Sequence, residues 1–118
     1  MKYKICYIDD LSYGIPQVIN AIPKEIEYHF FYYDSIDKIE DINFDIVILD
    51  FYLDKDKSTA LDIIDNFLEN ITISFSSAES KNQLMLRSGA DYSCLKIWKS
   101  HINSDLESLM KKIFHSLT

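Results

Sequence analysis

Acidic side chains and one lysine stand just after apolar segments of this sequence. Asp9 and Asp10 follow the first apolar run, Asp50 follows a second, and Lys96 follows a short run nearer the end of the chain. Carboxylate oxygens are preferred ligands of Mg²⁺, and a lysine can neutralise a phosphoryl oxygen. Together these residue types suggest metal-assisted phosphoryl chemistry. Asp54 lies in a charged loop after Asp50 and is interpreted as a solvated residue without a role in this chemistry.

The apolar runs before these residues have the length and composition of buried strands. In an open parallel sheet, the carboxyl ends of the strands meet at one crevice, where ligands bind. Asp9, Asp10 and Asp50 should therefore lie close together. Three crowded carboxylates would repel one another unless a hard cation joined them. The sequence therefore predicts a Mg²⁺ site at this edge of the sheet.

Strand-like and helix-like segments alternate along the chain, which is typical of an α/β layered protein. Predicted strands cover residues 3–8, 27–33, 45–49, 71–75 and 92–95. Predicted helices are one with apolar positions between 15 and 22, a short one over 35–42, one capped by Ser58 or Thr59, and others over 80–88 and 102–117. We expect a (βα)₅, doubly wound five-stranded parallel sheet with the flavodoxin-like order 2-1-3-4-5.

Side-chain spacing supports two of these helices. In the helix that follows Ser58 or Thr59, one face would carry five apolar side chains, Ala60, Ile63, Ile64, Phe67 and Leu68. The last helix would carry a single apolar stripe, Ile102, Leu106, Leu109, Met110, Ile113 and Leu117. Gly89 should stop the helix over 80–88.

Length and charge limit the possible functions. The chain has 118 residues, is 47% hydrophobic and has a net charge of −7, which favours one domain without a basic nucleic-acid surface. No apolar stretch could span a bilayer and no signal peptide is evident, so we expect a cytoplasmic protein. Cys6 and Cys94 are predicted to be buried, unpaired core residues. No zinc spacing or glycine-rich phosphate loop is present.

The sequence resembles the receiver domains of two-component response regulators over essentially its whole length. The resemblance rests on five ordered segments, each at the end of a predicted strand. They are Ile8-Asp9-Asp10, Ile48-Leu49-Asp50, Ser76-Ser77-Ala78, Gly89-Ala90-Asp91-Tyr92 and Lys96. It implies that residues 1–118 form a single stand-alone receiver domain without an output domain.

The resemblance also implies a role for each matched residue. Asp50 would be the phosphoacceptor, and it would bind Mg²⁺ together with Asp10 and the backbone carbonyl of Tyr52. Asp9 would act mainly through a metal-bound water. Ser77, with Ser76 as a fallback, and Lys96 would bind the phosphoryl group. Partners would be a histidine kinase or phosphotransfer protein and a downstream protein target, with only weak self-phosphorylating and self-dephosphorylating activity.

The sequence departs from the usual receiver pattern near the lysine. Ile97 stands where receivers usually carry a proline, and Ser93 occupies the position of the aromatic residue that often reports phosphorylation. With Ser93 unable to act as that reporter, Trp98 and Tyr92 are the candidate readout residues. The alternative is that Trp98 packs on the last helix. The segment between Ser77 and Gly89 is also short by about one helical turn.

Two other functions compete with a phosphorylatable receiver. The departures near Lys96 favour a degenerate receiver that acts as a phosphorylation-independent interaction module, while the Asp, Ser and Lys set opposes it. A haloacid-dehalogenase-like phosphatase would need a second aspartate two residues after Asp50. That position is Tyr52, so this possibility is rejected.

Overall fold

Five parallel strands form one sheet. The computed structural model describes residues 2–40, 43–53 and 58–118. The strands are β1 (Tyr3–Ile8), β2 (Tyr28–Tyr33), β3 (Ile46–Leu49), β4 (Ile71–Ser76) and β5 (Tyr92–Leu95). Their order is β2-β1-β3-β4-β5, with every neighbouring pair parallel. This confirms the predicted fold class and places the most apolar strand, β3, at the centre, where both of its faces are covered.

Two hydrophobic clusters cover the faces of the sheet. On one face, α1 (Ile15–Ala21) and α3 (Ser104–Leu117) pack against β-strand side chains such as Ile5 and Ile48. On the other face, α2 (Glu79–Arg87) and short 3₁₀ turns pack against side chains such as Val47 and Leu49. Alternate residues of one strand therefore serve different clusters, as expected for a doubly wound sheet.

The prediction of a continuous helix after Ser58 or Thr59 is wrong. Thr59 does form the capping box, but the chain then makes two 3₁₀ turns, Ala60–Asp62 and Ile64–Phe67, broken at Ile63. Adjacent β-branched residues with aspartate and asparagine are weak helix formers, and tertiary packing decides the local form. The predicted apolar face is largely buried, but Leu68 is 56% exposed.

Two other predicted helices are shortened, whereas α2 has the length predicted for the helix over 80–88 and begins one residue earlier. Over 35–42 only a 3₁₀ turn, Ile36–Lys38, is present, and residues 41–42 lie outside the described residues, as does the Asp54 loop. α2 ends before Gly89, whose φ of 126° is readily adopted only by glycine. α3 begins two residues later than predicted, with the Asn103 side chain capping it, so Ile102 is exposed outside the stripe.

Both cysteines are buried and unpaired, which confirms their predicted role as core residues. Burial raises the pKa of each thiol to about 12. Cys6 belongs to one hydrophobic cluster and Cys94 to the other, so the sheet separates them. In the described part of the chain, no helix is both long and apolar enough to cross a membrane.

Candidate functional site

The carboxyl ends of β1, β3 and β5 bring together the acidic residues and the lysine. Backbone hydrogen bonds fix the strand ends: the Asp50 N–H donates to the Ile8 carbonyl at 2.9 Å. Asp9, Asp10 and Asp50 each place a carboxylate oxygen within 4.8 Å of the others. Lys96 Nζ lies 2.7 Å from Asp9 Oδ2 and 3.2 Å from Asp50 Oδ1. The four side chains predicted to share one site are therefore adjacent.

Asp9 is the most constrained member of this cluster. Its Oδ2 accepts hydrogen bonds from the Tyr7 hydroxyl and from Lys96 Nζ, and its Oδ1 accepts one from the Leu11 N–H at 2.9 Å. The Tyr32 hydroxyl donates to its backbone carbonyl at 2.8 Å. Both carboxylate oxygens thus already have protein donors, which suits Asp9 to contacts through water rather than direct metal coordination.

Asp10 and Asp50 lie nearer the solvent than Asp9. Asp10 is partly exposed, and Asp50 is 6% exposed. An octahedral Mg²⁺ holds its ligand oxygens at about 2.1 Å, so opposed ligands lie about 4.2 Å apart. The carboxylate oxygens of the cluster lie within 4.8 Å of one another, and their all-oxygen donor set fits a hard divalent cation.

Crowding and burial change the protonation equilibria of the cluster. Burial, with a further contribution from the Asp9 charge, raises the pKa of Asp50 to about 7, although Lys96 opposes the shift. Burial and Asp9 also raise the pKa of Asp10. Burial alone would lower the pKa of Lys96, but the Asp50 and Asp9 charges outweigh it, so this pKa is raised and Lys96 stays charged. The cluster therefore holds more negative charge than one lysine neutralises.

The remaining predicted site residues, Ser77, Ser76, Tyr52 and Ser93, differ in exposure and in their local contacts. Ser77 is exposed in the bend between β4 and α2, whereas Ser76 is buried and its Oγ accepts from the Ala78 N–H. Ser77 is therefore the better-placed hydroxyl. Tyr52 is exposed and forms an isolated antiparallel bridge with Thr59. Ser93 is half-buried in edge strand β5.

Trp98 packs on the turn after β1. It is 65% exposed, and its ring lies edge-on to Tyr13 with 4.8 Å between centroids. Lys96 Nζ in turn lies 4.9 Å from the centroid of the Tyr13 ring, a cation–π distance. Tyr13 thus connects the buried lysine with the exposed indole.

Tyr7 and Gly14 also belong to the site, although neither residue was predicted to. Tyr7 lies two residues before Asp9, and the two-residue period of a strand places both side chains on the same face. The Tyr7 side chain is fully buried and its hydroxyl needs a polar partner, so the sequence could have indicated Asp9 as that partner. Gly14 leaves space for that hydroxyl: a Cβ at Gly14 would overlap the Tyr7 oxygen and lie 3.3 Å from Lys96 Cδ. A side chain at position 14 would therefore disturb the buried site.

Comparisons with known proteins agree with this fold. Neither a protein-family model nor a curated protein matches the sequence. Among solved structures, the response regulator DrrB of Thermotoga maritima superposes with a TM-score of 0.69 at 18% identity, over 99% of this chain and 53% of that one. This chain thus spans about half of full DrrB. The structure of the DrrB receiver domain activated by BeF3 gives a TM-score of 0.68 at 21% identity, over 99% and 98% of the two chains.

A CheY-like receiver domain protein from Methanospirillum hungatei is similar to the same degree. Its TM-score is 0.69 at 17% identity, over 99% of this chain and 94% of that one. The chain therefore has the fold of response regulator receiver domains, as the sequence resemblance predicted. At these identities the similarity concerns the fold, and the chemistry must be argued from the site.

The contact between Tyr7 and position 14 predicts a coupled effect on stability. Gly14→Ala should lower the free energy of unfolding by about 1–3 kcal/mol, because the added Cβ would overlap the Tyr7 hydroxyl. The backbone at φ −79° accepts alanine without strain, so the loss would come from this overpacking alone. Tyr7→Phe in that background should recover part of the loss, since the overlapping oxygen is gone. Urea unfolding of both single variants and the double variant measures the coupling. Strictly additive losses would contradict it.

The raised pKa of Asp50 predicts that replacing this carboxylate with a neutral side chain stabilises the protein by an amount that depends on pH. Raised from 3.8 to about 7, the pKa means that Asp50 contributes stability at low pH that is lost as the pH rises towards 7. Asp50→Asn should therefore stabilise the metal-free protein more at about pH 8 than at about pH 4.5. Urea unfolding with a chelator present tests this. A stabilisation that is equal at both pH values would show that Asp50 titrates normally.

Proposed function

We propose that residues 1–118 form a single receiver domain that accepts a phosphoryl group on Asp50 in a Mg²⁺-dependent reaction and signals through protein–protein contacts. The observation that carries the proposal is the position of Asp50, which has a carboxylate oxygen within 4.8 Å of the acidic pair that follows β1 and lies 3.2 Å from the ammonium of Lys96. A pocket with this composition can bind a cation, offer a nucleophilic oxygen and receive the charge of a phosphoryl group.

In the proposed reaction, a carboxylate oxygen of Asp50 attacks the phosphorus atom of a donor. The new bond joins that oxygen to phosphorus, while the bond from phosphorus to the donor breaks and the donor keeps its electron pair. Asp10 and Asp50 would hold Mg²⁺ directly, with the carbonyl of Tyr52, and Asp9 would hold it through water. Bound Mg²⁺ would supply charge neutralisation at the phosphoryl oxygens. It would also favour the ionised, nucleophilic form of Asp50.

Lys96 and Ser77 would bind the transferred group. Lys96 already pairs with Asp50 Oδ1, so a phosphoryl oxygen attached to Asp50 would come within its reach. Ser77, exposed at the end of β4, would donate its hydroxyl. The donor would be a histidine kinase or a phosphotransfer protein, and the phosphorylated form would bind a downstream protein.

The principal alternative is a receiver fold that binds partners without phosphorylation. Several large apolar side chains are exposed close to β5 and the segment after it, which supports an interaction surface. They are Leu95, Ile97, Trp98 and Ile102. The raised pKa of Asp50 and its ion pair with Lys96 favour the phosphoacceptor, because a surface used only for binding does not need them.

Phosphoryl labelling separates the two functions. With Mg²⁺ and acetyl phosphate, the intact protein should gain the mass of one phosphoryl group, and a chelator should prevent the gain. Asp50→Asn should abolish labelling because it removes the attacking oxygen anion, whereas Lys96→Ala should be labelled slowly. Asp65→Asn, on an exposed 3₁₀ turn, is the matched control and should be labelled normally. Full labelling of Asp50→Asn, or none of the native chain, would contradict the proposal.

Trp98 provides a second prediction, since Tyr13 lies between it and Lys96. If Lys96 shifts towards a group on Asp50, its distance to the Tyr13 ring changes, and with it the environment of Trp98. Beryllofluoride with Mg²⁺ should therefore change Trp98 fluorescence in the native chain but not in Asp50→Ala. Tyr13→Leu should weaken the change. A constant spectrum while beryllofluoride demonstrably binds would mean that the signal leaves by another route.

A further inference from the structure

Lys96 stands where the chain leaves the sheet, so its reach depends on how the adjoining backbone is held. β5 ends at Leu95, and neither a helix nor a strand covers residues 96–103. The Lys96 N–H donates to the Ser76 carbonyl at 3.1 Å, which attaches the residue to β4. From there its side chain must span to Asp9 and Asp50. A shift of this backbone would carry Nζ away from both carboxylates.

The side chain of Gln17 holds the residue that follows Lys96. Gln17 extends from α1 and is 0% exposed. Its Nε2 donates to the Ile97 carbonyl at 2.6 Å, and its Oε1 accepts from the Ile97 N–H at 3.2 Å. One side-chain amide thus pairs with both polar backbone groups of Ile97, much as a neighbouring strand would.

Asn103 completes the arrangement on the other side of Lys96. Its Nδ2 donates to the Leu95 carbonyl at 2.8 Å and to Gln17 Oε1 at 3.0 Å. Its Oδ1 accepts from the Leu106 N–H at 3.1 Å and so caps α3. The backbone before and after Lys96 is therefore held by two buried amides that also bond to each other.

Burying two side-chain amides destabilises a core unless every donor and acceptor has a hydrogen-bond partner. Apart from the cap on α3 and a contact at 3.7 Å from the Cys94 thiol to Asn103 Oδ1, the hydrogen bonds that the structure gives these amides go to each other and to Leu95 and Ile97. Their hydrogen-bonding capacity is thus directed at the segment that carries Lys96. This concentration indicates a role at that residue beyond general core packing.

We propose that Gln17 and Asn103 are positioning residues that fix the backbone on both sides of Lys96, so that its ammonium stays at Asp9 and Asp50. Their effect on phosphoryl transfer rests on the proposed function, whereas their effect on Lys96 does not. Displacement by about 1 Å can cost a reaction as much as a hundredfold, so this support would matter for the transfer rate.

The first test follows Lys96 by NMR without any phosphodonor. The Lys96 ε-methylene protons lie by the Tyr13 ring and should show a ring-current shift in the native chain. Gln17→Met keeps length and volume but removes both hydrogen bonds to Ile97. It should abolish that shift and speed exchange of the Ile97 amide proton by about tenfold or more. Thr72→Val, which removes a buried hydrogen bond to the Phe67 carbonyl away from the site, is the matched control and should leave the shift intact.

The second test asks whether Gln17 acts through Lys96. Gln17→Met should slow labelling by acetyl phosphate by roughly ten- to a hundredfold. In a Lys96→Ala background the same change should alter the rate less than about twofold, because the group that it positions is gone. A merely structural role would lower the rate equally in both backgrounds, which would overturn the proposal.

A second variant keeps the test decisive if Gln17→Met fails to fold. Asn103→Ser retains an oxygen that can cap α3 but loses the amide donors to Leu95 and Gln17. It should reproduce the loss of the Lys96 shift. An unchanged Lys96 shift in whichever folded variant is measured would overturn the proposal. If the native chain takes no phosphoryl group, the proposed function fails, and the NMR result still decides whether these amides position Lys96.

Discussion

The ion contacts of Lys96 are the interaction on which the arrangement of the site depends. Asp9 and Asp50 are buried at the same edge of the sheet, and two carboxylates brought so close would otherwise force one of them to take up a proton. The ammonium at 2.7 Å and 3.2 Å relieves part of that repulsion. Burial, and after it the Asp9 charge, nevertheless keep the pKa of Asp50 raised to about 7, so the ammonium does not offset both effects, and a bound cation would favour the ionised carboxylate further. Removing Lys96 would leave both buried carboxylates without an ammonium, which would cost more stability than the ion contacts contribute.

The rest of the local structure follows from the need to hold these charges in place. Tyr7 and the Leu11 N–H occupy the oxygens of Asp9, and Gly14 has no side chain because the Tyr7 hydroxyl needs the space. The carboxylates thus differ in freedom: Asp9 is held by protein donors on both oxygens, while Asp50 is constrained chiefly through Lys96. Such a division suits a site in which one carboxylate reacts while another keeps its position.

Sequence patterns predicted the sheet well because a buried parallel strand needs a continuous apolar run. They also predicted the site, because the carboxyl end of each strand fixes where Asp9, Asp50 and Lys96 must lie. The broken helix around Ile63 was not predicted, because an apolar period also fits successive 3₁₀ turns that bury the same face. The amide contacts of Gln17 were not predicted either. They join segments far apart in the sequence, and no local pattern distinguishes a buried glutamine from a solvated one.

The departures from the receiver pattern acquire a physical meaning around Lys96. Proline after the lysine would lack an N–H, whereas Ile97 supplies one, and Gln17 accepts it while donating to the carbonyl of the same residue. Serine at position 93 supplies no aromatic ring, but the Tyr13 and Trp98 rings lie edge-on to each other and the Tyr13 ring lies 4.9 Å from Lys96 Nζ. Constraint of the backbone and contact with an aromatic ring are thus both present, supplied by α1 and the turn before it. Because that turn also carries Gly14, which lies against Tyr7 and Lys96, any movement of Lys96 would act first on the turn between β1 and α1.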